Sequence, residues 1–239
     1  ALHNYFLKTL SNFLGSVQTM DERIFYMNMC IKERLSKREL ERQIDSGYYE
    51  RYMLSQNPQS LALETAKKAT GNIFLDNYVL DFLDVPDPMS EHDLQKSIIR
   101  NLKDFILEIG KDFTFVGEEY RVQVGNHDFF IDLLFYHRGL SCLVAFELKI
   151  GEFKPEYVGQ INLYLEALDR EVKKENENPS VGIILCASKD DEVVEFALSR
   201  SLSPTMVAEY NLKLIDKKLL QKKLKEYIEL AKLTEDENA

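Results

Sequence analysis

Two apolar runs that each contain an isolated charge constrain this chain more than any other feature. The first run is Phe129 to Tyr136 and contains Asp132, and the second is Leu143 to Lys149 and contains Glu147. Runs of this length and composition predict buried β-strands. Because an unpaired buried carboxylate is costly, the charges indicate that these two strands form a chemical site.

The two strands bring the charges together if a tight hairpin joins them. A two-residue turn centred on Arg138 and Gly139 gives the glycine a positive φ and places Asp132 opposite Ala145. Since side chains alternate across a strand, Glu147 and Lys149 then share a face with Asp132. Asp132 and Glu147 become diagonal neighbours about 7 Å apart at the backbone, close enough to share one cation.

This combination of residue types is typical of metal-dependent phosphate chemistry. Two carboxylates, the backbone carbonyl of Leu148 and water molecules form an oxygen-rich site suited to Mg²⁺ or Mn²⁺. Such a metal neutralises a scissile phosphate and acidifies its bound water, and Lys149 could position or deprotonate that water. The alternative is a buried ion pair that only orders the sheet.

The stretch after Lys149 contains further motifs. The segment Phe153-Lys154-Pro155-Glu156-Tyr157-Val158-Gly159-Gln160 follows it, and Tyr164 comes one helical turn after Gln160. An aspartate in one strand, Glu-x-Lys in the next and a helical Gln-x-x-x-Tyr resemble the RecB-type and Holliday-resolvase-like branch of the PD-(D/E)XK nucleases. Together with Gly182-Ile183-Ile184-Leu185-Cys186, these strings resemble the YhcG-type family of bacterial proteins.

The resemblance implies a role for each matching residue. Asp132 and Glu147 correspond to metal ligands, and Lys149 and Gln160 to catalytic positions. Glu91 is the candidate for the further acidic residue that related nucleases often have on the first core helix. A carboxylate in the first turn after a Ser90 cap is also favoured by the helix dipole alone. Gln160 and Tyr164 could equally form an ordinary polar pair on a helix surface.

The function implied by the resemblance is Mg²⁺- or Mn²⁺-dependent hydrolysis of DNA phosphodiester bonds by an endonuclease. DNA processing, recombination or repair, and defence against foreign DNA are the processes it suggests, with branched or foreign DNA as partner. The alternative is a catalytically silent nuclease-fold module that binds nucleic acid or protein. The intact Asp132, Glu147 and Lys149 favour the enzyme.

The charge balance requires a local surface for nucleic acid. With 30 Lys and Arg against 40 Asp and Glu, the net charge is −10, so phosphate-binding surface cannot cover the whole chain. We expect nucleic-acid contacts from Lys154, Tyr164, Lys37, Arg38 and Arg42. The basic residues among them could instead form a solvated helix face.

The remaining composition favours a cytoplasmic protein with no membrane segment. No apolar run approaches 18 residues, and three cysteines, Cys30, Cys142 and Cys186, are an odd number. They are interpreted as reduced, buried residues. Four scattered histidines and the absence of a Cys-x-x-Cys motif argue against a zinc site.

The order of the patterns predicts an α/β protein with a restriction-endonuclease-like α-β-β-β-α-β core and a mixed sheet, preceded by a small helical domain. Residues 1–83 show helical periodicity and include a Ser36 to Glu39 capping box. Two helices joined by a short turn there are compatible with helix-turn-helix DNA binding, and equally with plain helical packing. Residues 84–89 are the predicted linker and 90–239 the predicted nuclease domain.

Apolar helix stripes suggest a homodimer, because double-strand cleavage by single-site nucleases usually needs two active sites. Such stripes also pack within their own domain in many proteins. The residues concerned are Leu220, Leu224, Tyr227 and Ala231 on the last helix, and Ile24, Phe25, Met29 and Ile31 on the N-terminal helices.

Overall fold

The structure is a computed structural model that describes residues 17, 19–56, 73–201 and 203–236, with side chains up to residue 229. The helices are α1 (Met20–Glu33), α2 (Lys37–Asp45), α3 (Tyr48–Ser55), α4 (Glu91–Arg100), α5 (Leu102–Ile109), α6 (Glu156–Glu171), α7 (Asp191–Leu198) and α8 (Lys217–Asp236). The strands are β1 (Asn77–Val79), β2 (Phe113–Val124), β3 (His127–His137), β4 (Cys142–Leu148), β5 (Val181–Cys186) and β6 (Thr205–Asn211).

All six described strands form one mixed sheet in the order β1-β6-β5-β4-β3-β2. Strands β2, β3 and β4 are antiparallel, whereas β4, β5, β6 and β1 run parallel. Every residue of β4 and β5 is buried, as expected for central strands covered on both faces. The predicted α-β-β-β-α-β core is therefore confirmed, with helices preceding it in the chain.

The two hairpins of the sheet differ in their turns, and the second departs from the predicted turn at Arg138 and Gly139. Val124 pairs with His127 across the Gly125-Asn126 turn, where Gly125 has a φ of 61°. Between β3 and β4 the loop is residues 138–141, and Ser141 rather than Gly139 has the positive φ, at 51°.

The longer loop changes the pairing of β3 with β4. Ala145 pairs with Leu134, not with Asp132 as predicted. The predicted register was wrong by two residues, so continuing the observed register brings Asp132 level with Glu147. Because side chains two residues apart point the same way, this error leaves Asp132 on the predicted side of the sheet.

The first core helix is interrupted and divides into α4 and α5. Ser90, the expected cap, forms a capping box with Asp93. The helix breaks at Asn101, whose φ of −109° and ψ of 30° are not helical and whose side-chain amide donates to the Ser97 carbonyl. Beyond the break, α5 packs Phe105 against Phe135 of β3, on one face of the sheet.

The chain forms two compact units, one containing residues up to Gln56 together with those from Leu214 onward, and the other ending at Lys213. These limits differ from the predicted domain boundaries, since α8 belongs with the N-terminal helices and not with the nuclease core. The prediction of helix alone up to residue 83 was also wrong, because Asn77–Val79 pairs with β6. The predicted helical residues 1–16 and 57–72 lie outside the described part of the chain.

The helical unit has its own core. Tyr26 and Cys30 of α1 pack with Leu40 and Ile44 of α2 in this cluster. A short turn joins α1 to α2, as predicted, and Ser36 and Glu39 form the expected capping box. None of the described helices has the length and apolar character needed to cross a membrane.

Candidate active site

The site lies where β3 and β4 separate. Their ladder runs from His137 paired with Cys142 to Leu133 paired with Phe146. One residue further, the Asp132 Oδ2 atom accepts a hydrogen bond from the Leu148 backbone N–H at 2.7 Å. The Asp132 carboxylate thus accepts the hydrogen bond that a backbone carbonyl accepts elsewhere in the ladder, and this bond holds it against the end of β4.

Lys149 joins two carboxylates from different elements. Its Nζ atom lies 2.8 Å from Glu147 Oε1 and 3.2 Å from Glu91 Oε2. The Glu147 and Lys149 side chains are only 2% and 10% exposed. The structure therefore brings together Asp132, Glu147 and Lys149, as the sequence predicted, and adds Glu91 through its ion pair.

The Glu147 carboxylate has one oxygen without a partner. Its Oε2 atom is buried and accepts no hydrogen bond. A buried carboxylate oxygen that nothing satisfies is uncommon, because the loss of hydration is not compensated. Its chemistry fits a cation ligand, as does the nearby Asp132.

The ligand set consists of few protein groups. Within the described ranges, no group of three or more His, Cys, Asp or Glu side chains is arranged to hold a metal ion. The two strand carboxylates of the site, Asp132 and Glu147, are fewer than such a group requires. Mg²⁺ suits such a set because it usually keeps several waters and binds through one or two carboxylates.

Burial controls the ionisation of the carboxylates in the absence of metal. Loss of hydration, followed by the charge of Asp132, raises the pKa of Glu147 to about 7. Burial also raises the pKa of Asp132, although the Leu148 N–H opposes this shift. Two like charges in a poorly hydrated site disfavour each other, and a divalent cation would relieve this repulsion.

The pKa of Lys149 shifts upward without metal. Burial lowers it, but the hydrogen bond and charge of Glu147, together with the charge of Glu91, outweigh burial and raise the pKa. A neighbouring dication would lower this pKa, because it disfavours a second positive charge close by. In the observed arrangement Lys149 is an ammonium held by two glutamates.

Glu91 is directed toward the site and not toward its helix end. Ser90 and Asp93 satisfy the α4 N-terminus through their mutual hydrogen bonds. The Glu91 carboxylate instead contacts Lys149 at 3.2 Å. Its placement thus fits the acidic position on the first core helix better than the capping alternative.

Gln95 was not anticipated as a site residue. One helical turn after Glu91, its buried side chain donates from Nε2 to the Asp132 backbone carbonyl at 2.8 Å. Gln95 therefore fixes α4 to the point where β3 leaves β4. The four-residue spacing from Glu91 was the one sequence signal available, since it places both side chains on one helix face.

Helix α6 contributes the Gln160 and Tyr164 pair. The Gln160 Nε2 atom donates to the Tyr164 hydroxyl at 2.8 Å, so the two predicted residues are in contact. Burial raises the pKa of Tyr164, the Gln160 hydrogen bond lowers it, and the charges of Glu147 and Asp132 raise it further.

Tyr164 cannot have the nucleic-acid contact predicted for it. The residue is only 3% exposed, because it packs into the core between α6 and the sheet. It orients the exposed Gln160 instead. Lys154, just before α6, is exposed, and Lys37 and Arg38 are exposed on α2 of the helical unit, whereas Arg42 is half-buried.

Comparison with known proteins assigns the family. Residues 71–225 match the family described as YhcG PDDEXK nuclease domain. This chain belongs to that family. It is also 37% identical over 215 residues to the protein named "Putative nuclease YhcG" of Escherichia coli strain K12, which covers 88% of the chain and 57% of the relative. The chain therefore spans little more than half the length of this curated YhcG relative.

Solved structures show weaker similarity to this YhcG-family chain. A repair endonuclease from Pyrococcus abyssi is 17% identical, with a TM-score of 0.35 over 53% of this chain and 48% of that one. The EndoMS–dsDNA2 complex is 19% identical, with a TM-score of 0.34 over 51% of this chain and 43% of that one. Similarity at this level carries no argument about function.

Proposed function

We propose that this chain is a Mg²⁺- or Mn²⁺-dependent endonuclease that hydrolyses DNA phosphodiester bonds. The observation that carries the proposal is the buried, unsatisfied Glu147 Oε2 beside Asp132 and Lys149. Asp132, Glu147 and the Leu148 carbonyl would hold the ion. When bound, the ion would neutralise the scissile phosphate and acidify a water molecule.

The side chains around the carboxylates have distinct tasks. Lys149 orients the attacking water or removes its proton, and its charge stabilises the phosphorane as negative charge develops. Glu91 of α4 holds the Lys149 ammonium at 3.2 Å. Gln160, oriented by Tyr164, is an exposed amide that can donate to a phosphate oxygen.

DNA is the proposed substrate because the family is a nuclease family and the exposed cations suit a phosphate backbone. Lys154 is exposed just before the helix that carries Gln160, and Lys37 and Arg38 give the helical unit an exposed basic segment. Phosphate contacts from such residues position a nucleic acid without reading its sequence. DNA processing, recombination or repair, and defence against foreign DNA are the proposed roles.

Cleavage assays with defined substrates test this proposal. Purified protein is incubated with duplex, single-stranded and branched DNA and with RNA, in chelator, Mg²⁺, Mn²⁺ or Ca²⁺. We expect cleavage of DNA that chelator abolishes and that either Mg²⁺ or Mn²⁺ restores. Ca²⁺ should bind but support little cleavage, because its looser coordination positions water poorly.

A catalytically silent DNA- or protein-binding module is the second candidate. The observation that favours it is the ion pair of Lys149 with both glutamates, which partly neutralises the site without a metal. Under this alternative no substrate is cut in any metal. Retained DNA binding together with complete lack of cleavage would establish it.

A further inference from the structure

The aromatic ring of Tyr157 faces the ammonium group of Lys149. The Lys149 Nζ atom lies 5.1 Å from the ring centroid. Glu147 and Glu91 approach the same nitrogen within hydrogen-bonding distance. The ammonium is thus enclosed by two carboxylates and one aromatic face, and Tyr157 provides the neutral member of this set.

The position of the ring is fixed by the segment that begins α6. The Phe153 N–H donates to the Ser188 carbonyl at 2.8 Å, which attaches this segment to the loop after β5. The buried Phe153 ring packs edge-on against Tyr157 with a centroid separation of 6.3 Å. Tyr157 is therefore held by its neighbours and does not depend on Lys149 for its orientation.

The three partners of the ammonium respond differently when a cation engages the carboxylates. A divalent ion held by Glu147 would compete for the carboxylate charge and repel the ammonium, whereas an aromatic face would keep its attraction for a cation. A lysine with a flexible four-carbon stem would otherwise swing toward solvent. The ring alone among the three partners carries no charge for which the metal competes.

We propose that Tyr157 is a positioning residue that keeps the Lys149 amino group at the reacting centre while metal and substrate are bound. This inference rests on the proposed nuclease function. It assigns a task to the tyrosine of the Phe153 to Gln160 segment, whose sequence is distinctive yet contains only one residue, Gln160, with a predicted catalytic role.

Kinetics of matched variants test the proposal. Tyr157→Leu removes the ring, Tyr157→Phe keeps it, and Tyr136→Leu removes another half-buried ring that packs against the same core. We expect Tyr157→Leu to lower kcat by roughly fivefold to thirtyfold with little change in KM. Tyr157→Phe should retain parental kcat, and Tyr136→Leu should change kcat less than twofold.

A spectroscopic measurement on the metal-free protein gives a second readout. With lysine labelled by ¹³C at the ε position, the ring current of Tyr157 should shift the Lys149 ε-methylene resonance upfield. Lys149→Arg assigns that resonance. The upfield shift should disappear in Tyr157→Leu and remain in both Tyr157→Phe and Tyr136→Leu.

The outcomes separate failure of this inference from failure of the proposed function. If the parent cuts DNA but Tyr157→Leu keeps its kcat and its Lys149 resonance, the inference is overturned. Equal losses in Tyr157→Leu and Tyr136→Leu would also overturn it, since they would show a general packing effect. If the parent cuts nothing, the proposed function itself fails, whereas the resonance still reports whether the ring orders Lys149.

Discussion

At the scale of single residues, the position of Asp132 depends on hydrogen bonds to its backbone as well as to its side chain. The Leu148 backbone N–H donates to the Asp132 Oδ2 atom, and the Gln95 side-chain amide donates to the Asp132 backbone carbonyl. Metal ligands are commonly held by such outer partners, whose loss costs about 10–100-fold in metal affinity or activity. Gln95 therefore supports the site through the Asp132 carbonyl.

Replacement of Gln95 tests this dependence. Gln95→Met preserves size but removes the donor, so the Asp132 carbonyl loses its partner and β3 can shift at its end. We expect Mn²⁺ affinity, measured by titration calorimetry, to fall about tenfold or more. Gln123→Met, at an exposed glutamine of β2 that bonds to Gly125, is the matched control and should bind Mn²⁺ like the parent. Equal affinity in Gln95→Met would remove Gln95 from the site.

At the scale of elements, α6 approaches β5 so closely that only glycine fits between them. A Cβ at Gly182 would lie 2.6 Å from Ile161 Cγ1 and 3.2 Å from Leu165 Cδ1. The helix that carries Gln160 can therefore pack closely on the sheet because residue 182 has no side chain.

Two glycine substitutions separate packing from helix propensity. Gly182→Ala should lower the free energy of unfolding by about 1–3 kcal/mol, because Ile161 must move. Gly159→Ala, on the exposed face of α6 where a Cβ meets nothing within 4 Å, should raise it by about 0.5–1 kcal/mol. Urea denaturation measures both. An unchanged free energy of unfolding in Gly182→Ala would contradict the close approach of helix and strand.

Comparison of the predicted and observed strands shows which parts of the fold could be predicted from the sequence. Asp132, Glu147 and Lys149 were predictable because charges inside apolar runs are visible in the sequence. The β3–β4 register was not, because a four-residue loop with Ser141 at positive φ has no strong signature. Strand β1 was missed because Asn77–Val79 is too short to display alternation.

Contacts between distant segments account for what remained hidden at the site. The Gln95 bond to Asp132 and the Tyr157 contact with Lys149 join residues far apart or in different elements. No local pattern encodes a hydrogen bond to a backbone carbonyl or a ring above an ammonium. Such positioning contacts became visible only with the structure.

At the scale of the whole molecule, a buried ion cluster attaches α8 to the helices of the N-terminal unit. The Lys217 Nζ atom lies 2.9 Å from Glu22 Oε1 and 3.9 Å from Glu50 Oε1. Both glutamates are almost fully buried, whereas the Lys217 side chain is 25% exposed. Removal of the lysine would leave two buried carboxylates without their cation.

Lys217→Ala should therefore destabilise the helical unit by about 2–3 kcal/mol, less than for a fully buried pair because Lys217 is partly hydrated. Lys222→Ala is the control on the same helix, since its exposed pair with Glu226 is worth at most about 0.5 kcal/mol. Thermal unfolding followed by circular dichroism compares the variants. Equal stability in Lys217→Ala and the parent would contradict the importance of this cluster.

The homodimer remains a prediction at this scale. Leu220 and Leu224 are buried within the protein, which accounts for part of the predicted stripe on the last helix. Ile24 and Ile31 of α1 are exposed and stay available for a second copy. We expect a dimer by light scattering at tens of micromolar protein and a monomer in the Ile24→Glu, Ile31→Glu double variant. A monomeric parent would remove the prediction.

The most direct test of the account is the turnover of the parent beside Glu147→Ala and Lys149→Ala, with Mn²⁺ and whichever DNA the parent cuts. Both substitutions should lower the rate by several orders of magnitude, because one removes a metal ligand and the other the group that manages the water. Gln160→Ala should cause a smaller loss, and DNA binding should change much less in all three. Cleavage by Lys149→Ala at the parental rate would contradict the proposed active site.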